Sequence, residues 1–103
     1  RTEAYRLMGR YFWLINKHGR ALKWYLRSIV EGKSLGASVE LSRTYFEVGI
    51  RLMDTRSQIK ALDGRQGKHY IERAKAMFRD MKLIWDLEHL DNITQLNEKY
   101  IIK

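Results

Sequence analysis

Cysteine is absent from the 103 residues, and so is proline. The first absence rules out disulfide scaffolds and thiolate metal sites, and it is compatible with a reducing compartment. The second tilts the chain toward helix, because strand-rich domains rest on turns that often use proline. No apolar run approaches the ~20 residues that a membrane span needs. Negative charge is scarce at the front. Residues 1–30 hold seven basic side chains against one acid, Glu3. The balance reverses at the end, where Asp86, Glu88, Asp91 and Glu98 face only Lys99 and Lys103.

What is present fits a soluble helical domain. Hydrophobic residues make up 45% and charged residues 31%, too apolar a mixture for a disordered chain. The common residue types are good helix formers. The length sets one domain, residues 1–103, with a modest core. The first residue is Arg1, which leads us to expect a piece of a longer protein. The formal net charge of +8 favours acidic partners, and the basic front and acidic tail favour contact between copies. The plainer role of the same charges is to solvate exposed helix faces.

Apolar periodicity marks five helices. The first covers 2–16, with Tyr5, Met8, Gly9, Phe12 and Ile15 on one stripe, and His18-Gly19 ends it. The second covers 20–35. Ala21, Tyr25, Ser28 and Ile29 share one face; Arg20, Lys23, Arg27 and Glu31 share the other. Gly36 punctuates, and a third follows it to Met53 on Leu41, Tyr45, Val48 and Leu52, with Ser42, Phe46 and Gly49 beside them. Residues 54–66 form a polar connection with an Asp63-Gly64 turn, and Ser57 is placed to cap a short helical turn before it. The fourth covers 67–81, with Tyr70, Ile71, Ala74, Met77, Phe78 and Met81 inward. The last covers 85–100 and packs through Leu87, Leu90 and Ile93. Short connections make neighbouring helices antiparallel hairpins.

Tyr5, Met8-Gly9, Phe12, Ala21, Tyr25 and Ser28 have the spacing of a known repeat: aromatic, large-plus-small, aromatic, then small, aromatic, small. Small residues let two helices approach, and rings fill the space beside them. Lys33 stands where that pattern closes on proline. A looser second copy uses Ser42, Tyr45, Ile71 and Ala74. Ser42 and Ala74 lie 32 positions apart, Gly9 and Ser28 only 19, so the second copy carries 13 extra residues. Over residues 2–81 the chain resembles the tetratricopeptide repeat family, with repeat one at 2–35, repeat two at 36–83 and a solvating end helix at 85–100. The segments 19–52 and 70–85 also resemble helical repeats at the C-terminal ends of large bacterial signalling proteins, including nucleotide cyclases and ATPase-type regulators.

The resemblance implies an all-α stack of helix pairs that binds protein or peptide in a concave groove. Its groove slots fall on Arg6, Arg10, Trp13 and Leu14, then on Val39, Arg43, Phe46 and Glu47. Arg6, Arg10 and Arg43 with Trp13 and Phe46 suit an acidic partner, since guanidinium groups grip carboxylates and rings anchor apolar side chains. The carboxylate-clamp subfamily departs from this chain: Glu40 stands where that subfamily has a polar donor, and a third repeat is lacking. Two repeats with a cap are marginal alone, so we expect a homo-oligomer or flanking repeats, with Phe12, Trp13 and Trp24 offering outer apolar surface.

Other chemistry finds little support. His18 and His69 read as solvated. Asp86 and His89 are spaced i, i+3, but a di-metal bundle needs a second such pair. Gly64 and Gly67 bracket a turn without the lysine and hydroxyl of a phosphate loop. We therefore expect no enzyme, cofactor or metal. The rival to protein binding is nucleic acid, through Arg20, Lys23 and Arg27 with Trp24 and Tyr25 among them. Those basic residues form no known reading motif. The sequence thus reads as a cytoplasmic interaction or oligomerisation module of a larger signalling or regulatory protein, not bound to a membrane.

Overall fold

The computed structural model describes residues 1–100, with side chains through Leu96. Among the described residues the chain is all-α apart from one small hairpin. Helices α1 (Thr2–Leu14), α2 (His18–Leu35) and α3 (Ser38–Met53) precede strands β1 (Ala61–Leu62) and β2 (Arg65–Gln66). Helices α4 (Gly67–Asp80) and α5 (Ile84–Tyr100) follow. The chief packing partners are α1 with α2 and α3 with α4, and α2 against α3 joins the two pairs. The expected charges on Glu98, Lys99 and Lys103 lie outside the described side chains.

Three helices end in the same way. A residue at the cap or just after it takes a left-handed conformation: Asn16 at φ 64°, Gly36 at φ 63° and Lys82 at φ 56°. The next amide then bonds back five residues, Lys17 to Phe12 O (2.8 Å), Ala37 to Gly32 O (2.9 Å) and Leu83 to Phe78 O (2.9 Å). This closure satisfies carbonyls a helix end leaves open. It corrects one boundary. Asn16 stops α1, and His18-Gly19 opens α2 instead of ending α1. Asn tolerates the left-handed region, so a glycine is not required there.

Small residues set the close approaches. A Cβ on Gly9 would sit 2.8 Å from the Tyr25 ring, so α1 and α2 meet with that ring flat on bare backbone. In the second pair the corresponding places are Gly49 and Gly67, where a Cβ would meet Ile71 at 2.5 Å and Met53 at 2.7 Å. Ala21, Ser28, Ser42 and Ala74 are fully buried beside them.

The stripe expected on α1 is rotated. Its buried residues are Thr2, Arg6, Gly9 and Trp13. Met8 and Ile15 are exposed, while Phe12 is half-buried against Trp24. The reason is polar. The face of α1 turned toward α3 is held by hydrogen bonds and ion pairs, so apolar spacing alone points to the wrong face. Ser28 Oγ donates to Thr2 O at 2.7 Å and lies 2.8 Å from Thr44 Oγ1.

The 54–66 connection also departs from expectation. Ser57 caps no helical turn. Its hydroxyl donates to Ile59 O (2.8 Å) and accepts from Ile59 N–H (3.1 Å), a local closure that competes with helix. Beyond it, Leu62 pairs with Arg65 across Asp63-Gly64, both at positive φ (53° and 76°). Two such residues form a type I′ turn, which matches strand twist.

Candidate functional site

Helices α1, α3 and α5 line an open groove of about 480 Å³. Arg6 and Arg10 come from α1. Arg43, Phe46, Glu47, Ile50 and Arg51 come from α3, and Trp85, Asp86 and His89 from α5. Each set recurs every three or four residues, which keeps it on one helix face.

At the base lies Glu47, 7% exposed. Its Oε1 accepts from Arg6 Nη1 (3.3 Å) and from Arg10 Nη2, and its Oε2 accepts from the Tyr25 hydroxyl (2.7 Å). Burial pushes the carboxyl up, but the hydrogen bonds from Arg10 and Tyr25 outweigh it and hold Glu47 below the usual range. Burial first, then the Glu47 charge, drives the Tyr25 phenol well above its ordinary value. Arg6 also reaches Glu40 at 2.9 Å. Higher up, Arg43 grips Asp86 with two parallel bonds, Nε to Oδ1 (3.0 Å) and Nη2 to Oδ2 (3.2 Å), and touches Glu40 at 3.4 Å. The hydrogen bond from Arg43 to Asp86 leads in raising the pKa of that guanidinium.

Four of the five sequence-derived binding residues, Arg6, Arg10, Arg43 and Phe46, do share this groove, and Glu47 joins them. Their chemistry differs from expectation. The three arginines are internal ties between helices, each already facing a carboxylate. The fifth, Trp13, is a correction: it is 4% exposed and stacks on His18 with ring centroids 3.7 Å apart. His18 is therefore covered by an indole, not freely solvated. Leu14 and Val39 are exposed but do not line the groove.

Sequence reasoning missed the α5 wall. Trp85 is 70% exposed and stacks on His89 at 5.2 Å, and His89 meets the Phe46 ring edge-on at 5.6 Å. Asp86, weighed as a metal ligand, instead anchors α5 to α3. The available signal was the i, i+4 spacing of Trp85 and His89. Arg51 was missed too. Its Nε donates to the Tyr25 hydroxyl at 3.3 Å and its guanidinium lies 5.8 Å from the Trp13 centroid, with no ion pair among the described residues. Among the described residues, no three histidine or acid side chains are grouped to hold a metal ion.

The basic face of α2 has its aromatics occupied. Tyr25 is fully buried, Trp24 stacks on Phe12, and Arg27 and Arg20 lie over Trp24 and Phe12 at 4.8 and 5.3 Å. Those rings are not free to stack on bases. No described helix is long and apolar enough to cross a membrane. Comparison with family models, curated proteins and solved structures returns no match.

Proposed function

We propose that the chain is a tetratricopeptide-like interaction module of a larger cytoplasmic signalling or regulatory protein, and that the α1–α3–α5 groove receives an extended segment of a partner. One observation carries this reading: an indole left 70% exposed at Trp85, propped by His89 and Phe46, in the same groove as two cations with donors to spare. Arg10 has one carboxylate partner and a side chain 42% exposed; Arg51 has none among the described residues. Exposed aromatics beside a charged anchor are typical binding hot spots. The favoured segment carries an apolar or aromatic side chain for Trp85 and one carboxylate for Arg10 and Arg51. Both carboxylates that line the groove, Glu47 and Asp86, are taken up in ion pairs, which favours binding over catalysis.

Selection from a displayed peptide library tests it. Acid-plus-aromatic peptides should be enriched, and Trp85→Ala should weaken them about tenfold or more, the usual effect of losing an aromatic anchor. Peptides that bind Trp85→Ala as well as the parent would place recognition elsewhere.

Self-association is a second reading, favoured by the outer face of α1. Leu7, Tyr11 and Leu14 are spaced i, i+4, i+7 and are 45%, 55% and 68% exposed, an apolar stripe without a partner.

A further inference from the structure

On the opposite side of the helix pairs, the 54–66 insertion closes a second concavity. It has a volume of about 320 Å³ and is walled by α2, β2 and α4. Lys33 reaches it from α2, Arg65 from the hairpin, and His69 and Arg73 from α4. Tyr45 and Tyr70 form the floor, with Arg73 5.7 Å from the Tyr45 centroid. The Tyr70 hydroxyl donates to Leu62 O at 2.6 Å, which ties the hairpin over the pocket.

We propose that this pocket binds a small compound through its phosphate or pyrophosphate group. The basis is a contrast in charge. In the groove Arg6, Arg10 and Arg43 each face a carboxylate, whereas Lys33, Arg65 and Arg73 have no ion pair among the described residues. Three like charges from three separate elements repel, and the fold tolerates them around one hollow with a single carboxylate, Asp63, on its wall. An anion seated among them relieves that repulsion. Guanidinium groups meet phosphate oxygens in pairs, and lysine adds a point charge. The volume is that of a small-molecule site, and the Tyr70–Leu62 bond fixes the hairpin against it, which suits a compact ligand over a long polymer. The pocket is independent of the groove.

Calorimetric titration with pyrophosphate, at ionic strength held constant with chloride, tests this. We expect saturable one-to-one binding. Arg65→Gln with Arg73→Gln should weaken it at least tenfold, the effect of losing two charge-assisted contacts. Lys33→Gln, at an exposed side chain with no hydrogen bond among the described residues, is the second variant should the double change disturb folding. Asp63→Asn should tighten binding about threefold by removing the opposing charge, while Asn-Gly keeps the type I′ turn. Trp85→Ala should leave it unchanged. Non-saturating heats, or unchanged affinity in the arginine and Asp63 variants, overturn the pocket. Far tighter binding of a single-stranded RNA, weakened equally by changing Arg20, Lys23 and Arg27, would replace it with a nucleic-acid track.

Discussion

Glu47 is the residue on which the two helix pairs depend. It is the shared acceptor for Arg6, Arg10 and the Tyr25 hydroxyl, so it links α1, α2 and α3 at one point. Removing one member of a buried ion pair leaves the other charge without compensation, so Glu47→Gln should destabilise the chain by about 3 kcal/mol. The pH dependence follows from the direction of its shift. The folded carboxyl titrates below its unfolded value. Its contribution is therefore complete above the unfolded value of about 4.3 and is lost as pH falls through the lower folded one. Urea unfolding at several pH values should show this acid loss in the parent and a flatter profile in Glu47→Gln. Equal acid sensitivity in both would remove Glu47 from this role. None of this was legible locally, because Glu47 lies 41 positions from Arg6 and 22 from Tyr25. Arg6 and Glu47 were visible as groove-facing residues, but their mutual neutralisation requires knowing that α1 lies along α3.

At the scale of elements, the helix stops invite a direct test. Lys82 occupies a left-handed position at φ 56°, which costs a residue with a Cβ about 1 kcal/mol and glycine nothing. Lys82→Gly should therefore raise stability by roughly 0.5–1 kcal/mol, seen as a higher thermal midpoint. A decrease would mean that the Lys82 side chain does something its backbone does not reveal. All five helices were readable in the sequence, since 3.6-residue periodicity survives even where a few positions are polar. The hairpin was not, as each strand has only two residues and alternation cannot be recognised over so short a run; only its Asp63-Gly64 turn was visible. The facing of α1 was misread because Arg6 is buried by pairing, which a hydropathy pattern counts as outward. Helix α5 was only partly legible. It packs on the core through Leu87, Leu90 and Ile93 as expected, but it also leaves Ile84, Trp85 and Leu96 exposed and buries Asp86.

For the whole molecule, the net charge of +8 is unevenly spent. Salt bridges offset most of the charge in the groove, where Arg51 alone among its lining arginines has no ion pair among the described residues. Further cations without ion pairs among those residues lie around the hairpin pocket and along α2. Copies of such a chain repel one another except across an uncharged surface. The outer stripe of α1 is the face that meets this condition. We expect a reversible dimer through Leu7, Tyr11 and Leu14, detected by sedimentation velocity as a concentration-dependent coefficient. Leu7→Glu with Leu14→Glu should give a monomer with an unchanged helical signal. A parent chain that stays monomeric across the accessible concentration range would exclude the dimer.

The three indoles differ in a way that turns the molecule into its own optical probe. Trp13 is stacked and buried and Trp24 half-covered, while Trp85 stands in water at the groove edge. Its emission should lie furthest to the red and be the most open to a collisional quencher such as iodide. Anything that settles against α5 should shift that component to the blue and shield it. A ligand held beneath the hairpin on the far side should leave the spectrum as it was, so a single cuvette can tell which surface is occupied.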